Sequence, residues 1–160
     1  MSYLFRTCLE WRKWVVPGLL RERPVHRWFV LPHSFTDDIV RALAKEWDLS
    51  GTDRILDPFV GAGTTVLAAK QLDIPAVGFD LSPLAILASD VKVANYDLRC
   101  LEDHWLKLRH LIRVRDVDEA SRGYAELVQK ALPGDKLATF HGAKVAIGEL
   151  DAPAEAKDFF

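Results

Sequence analysis

The sequence predicts an α/β fold, an incomplete parallel sheet with a helical appendage, and three observations carry that expectation. A short apolar run, Arg54-Ile55-Leu56, ends on Asp57 and enters a tight loop, Val60-Gly61-Ala62-Gly63. A helical stretch from Thr64 to about Leu72 follows, and a second apolar run, Ala76–Phe79, then stops on another acid, Asp80. Beyond Asp97 the apolar residues recur at helical rather than strand spacing. Strand, glycine loop, helix, strand is the unit of an open parallel sheet, and ligands of such sheets bind outside the carboxyl ends of the strands. Asp57 and Asp80 both stand at such ends.

Taken in order, residues 1–24 form a basic, aromatic N-terminal segment. Tyr3, Phe5, Trp11 and Trp14 lie among arginines, and Pro17 and Pro24 interrupt it. Up to residue 27, Arg6, Arg12, Lys13, Arg21, Arg23 and Arg27 face only Glu10 and Glu22. That excess suits phosphate or a solvated surface equally. Trp11 and Trp14 are assigned to packing, the commoner use of tryptophan, rather than to stacking on bases.

Residues 25–97 are expected to form the α/β core. Residues 25–35 hold one alternating apolar stretch that Pro32 ends. Thr36 then caps a helix whose first turn carries Asp37 and Asp38, and Ile39, Val40, Leu43, Ala44 and Trp47 should face the core. After the strand–loop–helix–strand unit, Ser82 and Pro83 suit the cap and first position of another helix. Leu84, Leu87, Ala88 and Val91 should face inward there.

Residues 98–134 read as a helical insertion. One helix runs from Asp97 to about Arg113 with a seam of Leu98, Leu101, Trp105, Leu108 and Ile112. A second runs from about Asp116 to Ala131, stopped by Pro133-Gly134. In residues 135–160, Lys144–Leu150 reads as a strand weakened by Gly148, and a loosely ordered tail ends in Phe159-Phe160.

The bulk properties bound the function classes. The 160 residues suit one domain, and a net charge of −2 provides no global attraction for nucleic acid. Cys8 and Cys100 have no metal-ligand spacing and are expected to be free thiols. No apolar run is long enough to span a membrane, so the expected location is cytoplasmic.

Charge decides what the glycine loop can hold. A nucleoside triphosphate needs Gly-Lys-Ser/Thr, but the first lysine after Gly63 is Lys70, well inside the helix. A dinucleotide needs a third glycine where Val66 stands, and the Asp57 carboxylate beside a pyrophosphate would be repulsive. S-adenosylmethionine has a sulfonium, an ammonium and a carboxylate but no phosphate. Asp57 can attract its cationic methionyl end, and Gly61 and Gly63 remove Cβ atoms from the path of approach. Asp80, 23 positions beyond Asp57, can accept both ribose hydroxyls. Either acid alone would more simply be a turn or a helix cap. The pair, with two glycines between them, favours the cofactor.

At these residues the chain resembles the amino-methylating DNA methyltransferases, the adenine-N6 and cytosine-N4 enzymes. Asp57-Pro58-Phe59-Val60-Gly61-Ala62-Gly63-Thr64-Thr65 is similar to their Asp-Pro-Phe-x-Gly-x-Gly-Thr motif, and Gly78-Phe79-Asp80-Leu81-Ser82-Pro83-Leu84-Ala85 to their second motif. His26-Arg27-Trp28, Pro32 and Phe35 resemble the segment that closes over the methionyl part of the cofactor. The resemblance covers roughly residues 25–95. It implies a Rossmann-like S-adenosylmethionine-dependent methyltransferase fold and a pocket built from Phe35, Asp57, Phe59, Gly61, Gly63, Thr64, Asp80 and Ser82. It also implies DNA as partner of the complete enzyme. The family's catalytic Asp/Asn/Ser-Pro-Pro-aromatic tetrapeptide, which orients the target amine and stacks on the flipped base, has no counterpart, for no Pro-Pro occurs. No catalytic residue is therefore assigned, and the chain reads as a cofactor-binding front portion whose catalytic strand lies in a missing C-terminal portion or a partner chain. A portion of an RNA guanine-N2 methyltransferase, and an inactive or regulatory cofactor-binding remnant, share the glycine motif and stay open.

Overall fold

The structure, a computed structural model, describes residues 7–112, 132 and 134–160. The chain divides into two compact units, residues 1–94 and 95–160.

In the first unit, strands β1 (Ile55–Asp57) and β2 (Ala76–Gly78) pair in parallel, with Ile55 opposite Ala76, Leu56 opposite Val77 and Asp57 opposite Gly78. Phe79 N–H donating to the Asp57 carbonyl and Val60 N–H to that of Phe79, both at 2.8 Å, carry the ladder into the loops. Helix α1 (Asp37–Glu46) precedes β1, α2 (Thr64–Gln71) connects the strands, and α3 (Pro83–Val93) follows β2. Strand residues alternate between faces. Ile55 and Ala76 pack on a cluster of Ala44, Ala69 and Ile74, whereas their neighbours Leu56 and Val77 are exposed. One face of the sheet is thus covered and the other open.

The helix starts follow the sequence expectations. Ser82 caps α3, its hydroxyl accepting from Ala85 N–H at 3.4 Å, with Pro83 first in the helix. Thr36 precedes α1 in an extended conformation, but its hydroxyl donates to Asp38 at 2.8 Å instead of accepting from the helix backbone.

Two inward faces differ from expectation. Trp47 is 62% exposed, because α1 ends at Glu46 and Asp48 turns the chain through a positive φ of 52°. In α3, Leu84 and Leu87 are exposed, and the buried face is Ala85, Ser89 and Lys92. Ser89 is small, as its close approach to Gly63 requires, whereas the long Lys92 reaches main-chain carbonyls of Phe29 and Ala62.

Residues 25–35 form no strand. His26–Trp28 is a 3-10 turn, and Leu31–Ser34 is a turn closed by Ser34 N–H to Leu31 O at 3.0 Å and Leu31 N–H to Ser34 Oγ at 3.2 Å. Pro32 sits inside it, supplying the fixed φ that such turns favour. Upstream, Leu9–Trp14 and Pro17–Glu22 are also 3-10 helices. Trp11 and Trp14 are half-buried against one another at 5.7 Å, as packing residues.

The described elements of the second unit are helices. Helix α4 (Leu98–Leu111) is capped by Asp97, which accepts from Arg99 N–H and Cys100 N–H. Its buried face is Leu101, His104 and Leu108, and Leu98 and Trp105 lie outside the expected seam. The expected helix at 116–131 lies outside the described residues. The expected strand at Lys144–Leu150 is instead the end of helix α5 (Gly134–Glu149), which Gly134 opens. Ala138, Gly142, Ala146 and Leu150 are buried at four-residue spacing, whereas Lys144 and Gly148, which a strand would set on the same face as them, are exposed. The tail is also ordered, as helix α6 (Ala154–Phe159). Phe159 meets Tyr96 edge-on at 5.1 Å and Phe160 stacks on Trp105 at 6.0 Å.

Candidate cofactor cleft

A cleft of about 460 Å3 opens at the carboxyl ends of β1 and β2. The 29–35 segment, the glycine loop, Asp80 and the start of α3 enclose it. Of the eight residues singled out in the sequence, Phe35, Phe59, Gly61, Thr64, Asp80 and Ser82 line it together. Phe29, Leu31, Phe35 and Phe59 make its walls largely apolar, and among the described residues no lysine or arginine lines it. Asp80 is the only carboxylate among those lining residues.

Asp80 is held by backbone. Gly61 N–H donates to Oδ2 and Ser82 N–H to Oδ1, each at 2.9 Å. These bonds, Ser82's first and then Gly61's, lower its pKa, so the group is an anion at neutral pH. The two oxygens together offer about four lone-pair sites, so Asp80 retains acceptor capacity for a ligand. Gly61 N–H, by contrast, is already engaged and is not free to bind a ligand carboxylate.

Asp57 and Gly63 fall outside the cleft lining. Asp57 Oδ1 accepts from Phe59 N–H at 3.0 Å, an Asx turn that bends the chain from β1 into the loop. Gly63 precedes α2 at φ 78°, and a Cβ there would lie 2.9 Å from Ser89 Oγ and 3.0 Å from Ser89 Cα. Its lack of a side chain lets α3 approach the loop. Gly61, at φ 50°, has only Leu31 Cδ1 at 3.5 Å and Phe59 O at 3.8 Å near its missing Cβ, so its bareness serves the cleft.

Sequence reasoning missed the groups that hold the loop from behind. Ser89 Oγ donates to Gly61 O at 3.2 Å. Lys92, 4% exposed, donates to Phe29 O at 2.6 Å and Ala62 O at 2.7 Å. Burial lowers its pKa from 10.5 to about 8. The available signal was the Ala85–Ser89–Lys92 spacing, which places all three on one helical face.

A second polar cluster anchors the upstream segment. The buried Asp37 carboxylate meets Arg23 and accepts from Arg41 Nε at 2.8 Å. Burial alone would raise its pKa, but the Arg41 hydrogen bond and the charge and hydrogen bond of Arg23 prevail and lower it. His26 is 2% exposed, its ring nitrogens have no hydrogen-bond partner among the described residues, and Nε2 lies 3.9 Å from Asp37. Burial chiefly lowers its pKa, leaving it neutral.

Comparison with known proteins finds similarity over the same stretch of chain. A model of the DNA methylase family matches residues 26–89, which contain the upstream segment, both strands and the glycine loop. The type II methyltransferase M.BsoBI of Geobacillus stearothermophilus is 37% identical over 93 residues, covering 57% of this chain and 18% of that protein. M.AvaI of Nostoc sp. is 38% identical over 64 residues, 40% of this chain and 13% of its own. M.MjaII of Methanocaldococcus jannaschii is 40% identical over 50 residues, 31% and 9% respectively. The chain thus spans less than a fifth of the length of these curated relatives. No solved structure matches it significantly. The cleft at the two strand ends, built by the residues of two sequence motifs, thus lies within the stretch over which the chain is similar to the DNA methylase family and to type II methyltransferases.

Proposed function

We propose that this chain is the S-adenosylmethionine-binding portion of a DNA methyltransferase that methylates an exocyclic amine of adenine or cytosine, on a Rossmann-like fold. The observation that carries this reading is the cleft's charge: one backbone-held carboxylate at the end of β2, apolar walls, and no lysine or arginine among the described lining residues. Such a site suits a cationic nucleoside and disfavours a phosphorylated one. Asp80 would take the ribose hydroxyls with its remaining lone pairs, and Phe29, Leu31, Phe35 and Phe59 would take apolar surface of the ligand. Thr64 N–H, at the start of α2, is one amide suited to a carboxylate. Asp57, committed to its turn through Oδ1, would act on the methionyl end at longer range. When bound, the cofactor supplies an activated methyl group.

The acceptor amine needs groups that these 160 residues lack, since no Pro-Pro tetrapeptide occurs. We assign that part to further chain or a partner chain, whose helices would also cover the open sheet face at Leu56 and Val77. Titration calorimetry with S-adenosylmethionine tests the cofactor assignment. Saturable binding that Asp80→Ala weakens is expected; no binding by the unaltered chain would overturn it.

A further inference from the structure

We propose that Lys92 is a positioning residue that fastens the 29–35 segment to the glycine loop and so keeps the cofactor cleft formed before a ligand enters. The inference rests on the cofactor reading for its ligand, but its geometry stands apart from it. Lys92 follows the matched 26–89 stretch and lines no wall of the cleft. Its ammonium nevertheless joins two walls, donating to Phe29 O at 2.6 Å and to Ala62 O at 2.7 Å. Phe29 opens the upstream wall, and Ala62 is the middle of the loop on the other side.

Both acceptors are neutral carbonyls, an uncommon pair of partners for a buried lysine, which is ordinarily matched with a carboxylate. The neighbouring charge is unfavourable as well. His26, on the same upstream segment, feels the Lys92 charge as one of the effects lowering its pKa, after burial and the opposing pull of Asp37. An apolar residue would avoid the cost of burying the ammonium, but two main-chain acceptors from separate segments would then lose their donor. One group that bonds both is a cross-link in the mechanical sense. Ser89, one turn earlier on α3, supplies the contrast: its hydroxyl bonds Gly61 O, within the loop, and so holds one wall rather than joining two.

That contrast gives the experiment. Hydrogen exchange of the Leu31 and Ser34 amides, both bonded within the 31–34 turn, is compared among the unaltered chain, Lys92→Met and Ser89→Ala. S-adenosylhomocysteine affinity is measured in parallel. Lys92→Met should speed exchange at both amides and weaken affinity by about 10- to 100-fold, the worth of one charge-assisted hydrogen bond. Lys92→Arg, which keeps the donors, should recover part of each loss, and Ser89→Ala should leave the two amides unchanged. Equal exchange in Lys92→Met and the unaltered chain overturns the proposal, as does equal acceleration in Ser89→Ala. Should Lys92→Met not fold, Lys92→Gln, too short to reach both carbonyls, is read by the same criteria. If the unaltered chain binds no S-adenosylhomocysteine, the cofactor reading fails, while the exchange comparison still decides the role of Lys92.

Discussion

Replacing Gly63 by alanine separates the two glycines of the loop by their jobs. Two costs combine at Gly63. Its φ of 78° is left-handed, which costs a residue with a Cβ about 1–2 kcal/mol. The new Cβ would also stand 2.9 Å from Ser89 Oγ, 3.2 Å from Ser89 Cβ and 3.0 Å from Ser89 Cα. Because the last of these is a main-chain atom, α3 itself must move, and overpacking of this kind costs about 1–3 kcal/mol. The expected destabilisation is about 2–5 kcal/mol, read from urea unfolding of the chain. Gly61→Ala bears only the left-handed strain, about 1–2 kcal/mol, since its nearest neighbour is a flexible Leu31 methyl at 3.5 Å. Its larger effect should fall on cofactor affinity, because the added methyl enters the cleft. Ser89→Ala combined with Gly63→Ala should recover only part of the stability, because trimming the hydroxyl leaves the clash with the α3 main chain in place. If Gly63→Ala costs no more than Gly61→Ala, the packing account of Gly63 is wrong.

Four further outcomes are expected. Asp80→Asn should weaken S-adenosylmethionine binding by roughly 10- to 100-fold in calorimetry, since the carboxylate proposed to accept the ribose hydroxyls is lost. Lys92, whose folded pKa is lowered to about 8, releases its proton earlier when folded than when unfolded. Unfolding free energy should therefore rise between pH 8 and 10.5 by roughly 3 kcal/mol relative to Lys92→Met, with His26 neutral throughout that range; parallel profiles for the two proteins would refute it. His26 is also lowered, so the unfolded chain takes up its proton first on acidification. The stability it contributes is full above pH 6.5 and lost as pH falls through the folded pKa, and His26→Leu should flatten that part of a thermal-melting profile. Val25 has φ 65° and ψ −50°, and His26 N–H reaches Pro24 O at 2.7 Å around it, a strained γ-turn for a β-branched residue. Val25→Gly should raise stability by about 1 kcal/mol in urea unfolding.

What the sequence revealed, and what it hid, follows the range of the forces involved. The glycine loop, both strands and the Ser82 cap were legible because each is set by a few adjacent residues whose backbone needs are specific. The pocket was legible for the same reason: Phe35, Phe59, Gly61, Thr64, Asp80 and Ser82 come from three short segments whose order already implies convergence at the strand ends. Lys92 was not, because nothing local marks a lysine whose partners are carbonyls 63 and 30 residues away. The inward leucines of α3 failed for a related reason. Leu84 and Leu87 form the more apolar stripe, but the surface that α3 packs on is backbone of the glycine loop, where Ser89 sits so close to Gly63 that no Cβ fits between them. Packing on backbone selects small side chains, and the leucines are left exposed with Leu56 and Val77. Lys144–Leu150 failed as a strand because so short a segment was read without its surroundings. From Ala138 and Gly142 to Ala146 and Leu150 the buried positions recur every four residues while Lys144 and Gly148 between them are exposed, a pattern that fits a helix and not a strand. Hydrophobicity therefore located the elements well, but which face each one buries depended on partners that the local pattern does not name.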